Sequence, residues 1–173
     1  MQTDEALAAR LVDGDELALR ELLRRYERPL AAFLHRQTGG RDVEDLYQET
    51  WLRVVRHAAR FDAGRRFSTW LFQIAVNLCR DWRRRPPPEP RERIDEPAAP
   101  ELERADAALD AARLLAVLPE AQREVIVLRF YQDLSEADVA AILDIPVGTV
   151  KSRLHQAIAR LAGVVQAEKR AAS

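Results

Sequence analysis

An all-α fold, two small helical domains joined by a flexible linker, is predicted by three features of the sequence. Apolar residues recur every three or four positions over several long segments, which marks helices with one buried face. A proline- and acid-rich stretch, PPPEPRERIDEPAAPE, interrupts that pattern and is almost free of large apolar residues. Near the end, DLSEADVAAILDIPVGTVKSRLHQAIARL reads as two helices around a tight corner. The chain divides accordingly into a front domain at 1–85, a linker at 86–104 and a rear domain at 105–168.

In the front domain, residues 3–12 predict a short helix ending at Asp13-Gly14. Asp15 caps the next helix, whose stripe runs Leu19, Leu22, Leu23, Tyr26, Leu30, Phe33 and Leu34. Pro29 is expected to bend or split it, and Thr38-Gly39-Gly40 supplies a left-handed stop. Asp42 starts a third helix with Asp45 in the reciprocal capping position. Its core face is Val43, Leu46, Tyr47, Thr50, Trp51, Val54, Val55 and Ala58. The outward face carries Asp45, Gln48, Glu49 and Leu52, an apolar group among acids and an amide, as protein-docking patches are built. A single exposed leucine is also ordinary surface. The acids Glu44, Asp45 and Glu49 are explained more simply by a helix cap and a solvated face than by catalysis or a metal.

A basic loop, Asp62–Arg66, leads into a helix reaching Arg85. Trp70, Leu71, Ile74, Ala75, Leu78 and Trp82 form its inner side, while Gln73, Asn77, Arg80 and Arg84 line another face. Amides and guanidiniums in one row can read bases and neutralise phosphates. Phe61 and Phe67 flank the basic loop, where they either stack on unpaired bases or serve as core aromatics.

Composition narrows the class. Apolar residues are 47% and charged residues 32% of the chain, enough for buried cores in a soluble protein. No apolar run reaches membrane-span length, and MQTDEALAAR lacks the plan of a secretory signal. The lone Cys79 excludes an internal disulfide and a multi-cysteine zinc site, and His35, His57 and His155 stand isolated. The expectation is a cytoplasmic protein with no cofactor, no metal and no nucleophile–base pair or phosphate loop of an enzyme. Net charge is only −1, but the charge is segregated. Seven arginines face two acids between Arg60 and Arg85, whereas eight acids face three arginines between Pro86 and Asp110. The acidic linker is expected to repel DNA and screen the basic faces of the free protein.

The rear domain opens with a stripe of Leu109, Ala112, Leu115 and Ala116, followed by a helix begun at Leu118-Pro119-Glu120. Val125, Ile126, Leu128, Phe130 and Tyr131 are expected to build the core beneath the corner. Ser135 and Asp138 form a capping-box pattern, and Val139, Ile142 and Leu143 face inward. Asp144-Ile145 breaks this helix ahead of Pro146, and Val150, Leu154, Ile158 and Leu161 are the inner face of the last. Its front carries Lys151, Ser152, His155 and Gln156 flanked by Arg153 and Arg160, with no acid between Ile145 and Val165. An apolar back and a basic, hydrogen-bonding front suit a DNA major groove.

The order DVEDLYQETWLRVVRHAARFD, FSTWLFQIAVNLCRDWRRR, then LPEAQREVIVLRFYQDLSEADVAAILDIPVGTVKSRLHQAIARL resembles the extracytoplasmic-function (ECF) subfamily of the sigma-70 family of bacterial sigma factors. The resemblance covers nearly the whole chain apart from the linker and the last residues. It implies two sigma domains, the second and the fourth, and a factor that brings RNA polymerase core, through its beta-prime and beta subunits, to promoter DNA. It implies polymerase docking by Asp45, Gln48, Glu49 and Leu52. It implies −10 recognition and melting by the basic loop and the helix after it, with Arg65, Arg66, Phe67, Asn77, Arg80 and Arg84. It implies −35 recognition by Thr149, Lys151, Ser152, Arg153, His155 and Gln156. Some relatives have arginine in place of Gln156, and the corner position of Asp144 is often glycine. An anti-sigma factor is a further implied partner. The rival expectation is a helix-turn-helix regulator that binds duplex DNA without polymerase; it leaves the Leu52 patch and the arginine helix without a use.

Overall fold

The computed structural model describes residues 2–85 and 110–171. The linker expected at 86–104, its screening acids and the start of the rear domain lie outside the described residues. Among the described residues every regular element is helical.

The front half contains α1 (Asp4–Arg10), α2 (Glu16–Thr38), α3 (Val43–Arg56) and α4 (Phe67–Arg84), with short 3₁₀ turns at Leu11–Asp13 and Ala58–Arg60. Local chemistry sets most of their ends. Asp15 Oδ1 accepts from the amides of Leu17 and Ala18 at 3.0 and 3.1 Å, satisfying orphan donors at the start of α2. Gly39 and Gly40 take φ of 65° and 82°, the left-handed turn that stops α2. Leu22, Leu30, Phe33, Leu34, Val54, Phe67, Leu71 and Ala75 are fully buried between these helices. Phe33 and Phe72 meet edge-on with centroids 5.3 Å apart.

Three front-half expectations are corrected. Pro29 does not split α2, which runs unbroken from Glu16 to Thr38. Leu22 on one side of the proline and Leu30, Phe33 and Leu34 on the other are all buried. Each such side chain contributes about 1.5–3 kcal/mol, which together outweigh the roughly 3 kcal/mol cost of an internal proline. Asp42 does not cap α3: it sits at φ 52° with no side-chain hydrogen bond to the helix start. Its carboxylate is turned toward Trp82 instead. Val55, expected in the core, is 46% exposed, because Trp51, Val54 and Ala58 complete the buried face without it.

The rear half contains α5 (helical over 110–116), α6 (Glu120–Ile126), α7 (Glu136–Leu143) and α8 (Val147–Ala171). Ser135 and Asp138 make the full capping box at α7, each side chain answering the other's backbone amide. Asp144 ends α7 at φ 54°, a conformation aspartate tolerates better than most residues. Leu118, Val125, Ile126, Val127, Leu128, Val139, Ile142, Leu143, Val150, Leu154 and Ala157 form the core.

Phe130 and Tyr131 are not in that core; they are 57% and 40% exposed. Residues Val127–Tyr131 form a π-helical turn, whose wider pitch carries the last two side chains off the buried face. Ile158 is likewise 49% exposed, at the edge of a face made by Val150, Leu154 and Ala157.

The halves pack against each other, with α4 lying across α7. Gln132 Nε2 donates to the Pro29 carbonyl at 3.2 Å, and the Arg36 guanidinium stands 4.1 Å over the Tyr131 ring.

Candidate nucleic-acid interface

Three faces carry the predicted site residues. On α3, Asp45, Gln48 and Leu52 are exposed, and Leu52 shows 55% of its surface. Glu49 is half-buried and accepts from Arg53 Nε at 2.9 Å, one helical turn along. Gln48 Nε2 donates to Glu44 Oε1 at 3.3 Å. The patch is thus an open leucine bordered by a carboxylate whose rotamer Arg53 restrains. Folding leaves its apolar area unused, as a docking surface requires.

The second face belongs to the loop before α4 and to α4 itself. Asp62 Oδ1 accepts from the Gly64 amide at 2.9 Å, and this turn presents Arg65 and Arg66 outward. Asn77 and Arg84 are exposed on α4, while Arg80 is half-buried. Phe67 is fully buried, which corrects its expected contact with an unpaired base. Its ring is packed against Tyr26, Phe61 and Trp70, with centroids 5.4, 5.8 and 6.0 Å away. The Phe67 amide donates to Glu5 Oε1 at 3.1 Å. Phe67 therefore anchors the basic loop to the core. Phe61, half-buried at the edge of this cluster, keeps part of its ring open.

Several of these arginines are already engaged by the rear half. Arg80 Nε and Nη2 donate to Glu124 Oε1 and Oε2 at 2.9 and 2.8 Å, a two-point fork. Arg83 Nη1 donates to Glu120 Oε1 at 2.5 Å, and Arg66 Nη1 to Asp138 Oδ2 at 3.0 Å. Thr69 Oγ1 lies 3.5 Å from Asp138 Oδ1. The neighbouring Arg84 pairs with Asp81 on its own helix. Glu120, Glu124 and Asp138 escaped prediction as partners of α4 because no local spacing links groups 37, 44 and 72 residues apart. Burial pushes the Asp138 carboxyl up, but hydrogen bonds from the Ser135 side chain and backbone and the nearby Arg66 charge hold it below its usual value.

The third face lies on α8. Lys151, Ser152, His155 and Gln156 are exposed, and Thr149 and Arg153 are half-buried beside them. Val150, Leu154 and Ala157 fix the opposite side in the core, so the helix cannot rotate this row away. Lys151 Nζ stands 3.9 Å from Glu136 Oε2 and Gln156 Oε1 accepts from Gln122 Nε2 at 3.4 Å, contacts a DNA ligand can replace. Among the described residues no group of His, Cys, Asp and Glu is arranged to hold a metal, and no helix is long and apolar enough to cross a membrane.

Comparison with known proteins places the chain in a family. The Sigma-70 region 2 profile matches residues 22–86, and the Sigma-70 region 4 profile matches residues 108–161. The chain is 34% identical over 172 residues to the ECF RNA polymerase sigma-E factor of Haemophilus influenzae, covering 90% of this chain and 91% of that protein. It is 33% identical over 175 residues to the ECF RNA polymerase sigma-E factor of Escherichia coli (strain K12), covering 90% of each. Among solved structures it is similar to CnrH in complex with the cytosolic domain of CnrY. That match has a TM-score of 0.77 and 31% identity over 96% of this chain and 99% of the other. The sigma factor RpoE of Bartonella quintana, in complex with the anti-sigma factor NepR, shares the fold. There the TM-score is 0.68 at 24% identity, over 86% of this chain and 96% of the other.

Proposed function

Since this chain belongs to the ECF sigma factors of the sigma-70 family, we propose a residue-level division of labour for a protein that directs RNA polymerase to promoters. It is a DNA-binding initiation factor of transcription. The front domain at 1–85 grips core polymerase with Asp45, Gln48, Glu49 and Leu52, chiefly against the beta-prime subunit. The loop residues Arg65 and Arg66, with Asn77, Arg80 and Arg84 of α4, hold the opened −10 strand. The rear domain at 105–168 reads the −35 duplex with Thr149, Lys151, Ser152, Arg153, His155 and Gln156.

The observation that supports this most directly is the row of exposed polar side chains on α8, held outward by Val150, Leu154 and Ala157. Recognition then runs entirely on binding free energy. The factor contributes no covalent step of its own. Extruding a base costs a few kcal/mol, offset by stacking and hydrogen bonds to the unpaired strand. With Phe67 in the core, the partly open ring of Phe61 and the Arg65–Arg66 pair are the groups left to meet it. The protein acts in the cytoplasm, where core polymerase and promoters are. A partner of the anti-sigma kind is the regulator we expect; the sigma factor RpoE of Bartonella quintana, which shares the fold, is in complex with the anti-sigma factor NepR.

The test is reconstituted transcription. The purified chain with bacterial core polymerase should yield discrete run-off transcripts from its promoters. Tight duplex binding without any polymerase-dependent transcript would assign the chain to ordinary regulators.

A further inference from the structure

Between the end of α2, the end of α4 and α5 lies a cleft of about 530 Å³, within the size range of small-molecule sites. Its charge is one-sided. Arg36, Arg41, Arg83 and Arg123 line it together with His35, and no aspartate or glutamate among the described residues does. Arg83 is matched by Glu120 and Glu124. The other three arginines hold only backbone carbonyls and rings. Arg36 donates to the Ala32 carbonyl, Arg41 to that of Thr38, and Arg123 to those of Leu115 and Leu118. Among the described residues none of the three has a carboxylate within ion-pair distance. Burial and the Arg83 charge push the Arg123 guanidinium below its usual value, against the pull of Glu120 and Glu124. A partly desolvated cation with surplus positive charge beside it is stabilised by an incoming anion.

The same cleft has an apolar side. Trp82 contributes an indole whose Nε1 is held by Asp42, with the Arg41 guanidinium 4.7 Å from the ring centre. From α5, Ala111, Ala112, Leu115 and Ala116 share one face and line the opposite wall. Gln37, another lining residue, is 1% exposed. Its Oε1 accepts from Arg83 Nη2 at 2.6 Å, while its Nε2 has no acceptor. A buried donor without a partner is costly, and a ligand oxygen reaching the base of the cleft relieves that cost.

We propose that this cleft binds a phosphorylated small molecule carrying a planar ring, of the nucleoside diphosphate class. Its phosphate oxygens meet the guanidiniums of Arg41 and Arg123, whose paired donors match phosphate geometry. Its base lies between Trp82 and the alanines of α5, where an aromatic ring supports stacking. The volume accommodates one nucleotide, whereas a continuous strand needs a groove that tracks its backbone. None of these side chains is among those assigned above to promoter DNA or to polymerase.

The experiment is calorimetric titration of the full chain with ADP, GDP and inorganic pyrophosphate. Both nucleotides should bind saturably at one molecule per chain, and pyrophosphate about tenfold more weakly, for want of a ring to stack. Two exposed positions, one in each half, test the site without disturbing a core. Arg41→Ala removes a phosphate donor and Ala112→Phe fills the slot, and each should weaken ADP about tenfold or more. Arg20→Ala, exposed near the other end of α2, changes net charge as Arg41→Ala does and should bind natively. Tryptophan emission should change on ADP binding, and Trp82→Phe should abolish that change. Four results would overturn the site: no saturable nucleotide binding at millimolar concentration, native affinity in both cleft variants, pyrophosphate as tight as ADP, or an emission change that survives Trp82→Phe.

Discussion

The indole Nε1 of Trp82 donates to Asp42 Oδ2 at 2.7 Å, tying the last turn of α4 to the residue that precedes α3. The Arg41 guanidinium covers the same ring at 4.7 Å. The start of α3 and the end of α4 are thus tied at one corner. Asp42→Ala removes the acceptor and leaves alanine at φ 52°. The loss should be about 1–3 kcal/mol, from one hydrogen bond and one left-handed residue, and thermal melting should report it. An unchanged melting temperature would show the corner to be dispensable.

Leu52→Arg and Glu49→Lys should abolish polymerase-dependent transcription, because each puts a cation into the docking patch. Duplex binding through α8 should survive, since α3 and α8 belong to different halves. Core-polymerase capture by both variants at the native level would remove these residues from the docking surface.

Asn77 is exposed on α4, which makes it a clean probe of strand contact. Asn77→Ala should slow promoter opening, followed by permanganate reactivity of unpaired thymines, while core binding stays within twofold by the order of single surface changes. Equal opening rates would exclude it.

Lys151→Ala should weaken duplex binding across sequences and lower the salt slope by about 0.9, the yield of one phosphate contact. Gln156→Ala should instead alter preference among −35 sequences, with little change in slope. A slope change from Gln156 and none from Lys151 would reverse the two roles.

Acid should loosen the rear half through Asp138. Its folded carboxyl titrates below the usual value, so its contribution is complete above about pH 4 and fades as pH falls through the lowered folded value. Asp138→Asn should cost about 1 kcal/mol at neutral pH, as capping losses do, and should flatten the acid limb of the melting curve. An acid limb of native steepness in the variant would place the pH response elsewhere.

Much of the architecture was legible because its causes are local. The caps at Asp15 and Ser135, the stop at Gly39-Gly40 and the turn at Asp144 each depend on a few neighbouring atoms. The outward row on α8 follows from helical spacing alone. Departures came where packing outvoted a local preference, so that Pro29 does not split α2, and where a side chain found a distant partner, at Asp42. They came again at Phe130 and Tyr131, because a π-helical turn alters the very period that places a residue inside or outside.

The chain by itself determined the helices, their caps and the chemistry offered on each face, since hydrogen bonding within one or two turns and the 3.6-residue period act at short range. Only the tertiary structure decided that Phe67 is core, and that Arg80 and Arg83 meet Glu124 and Glu120. Those outcomes depend on which surfaces are brought together across dozens of residues, and a carboxylate carries no local mark of the guanidinium it will meet.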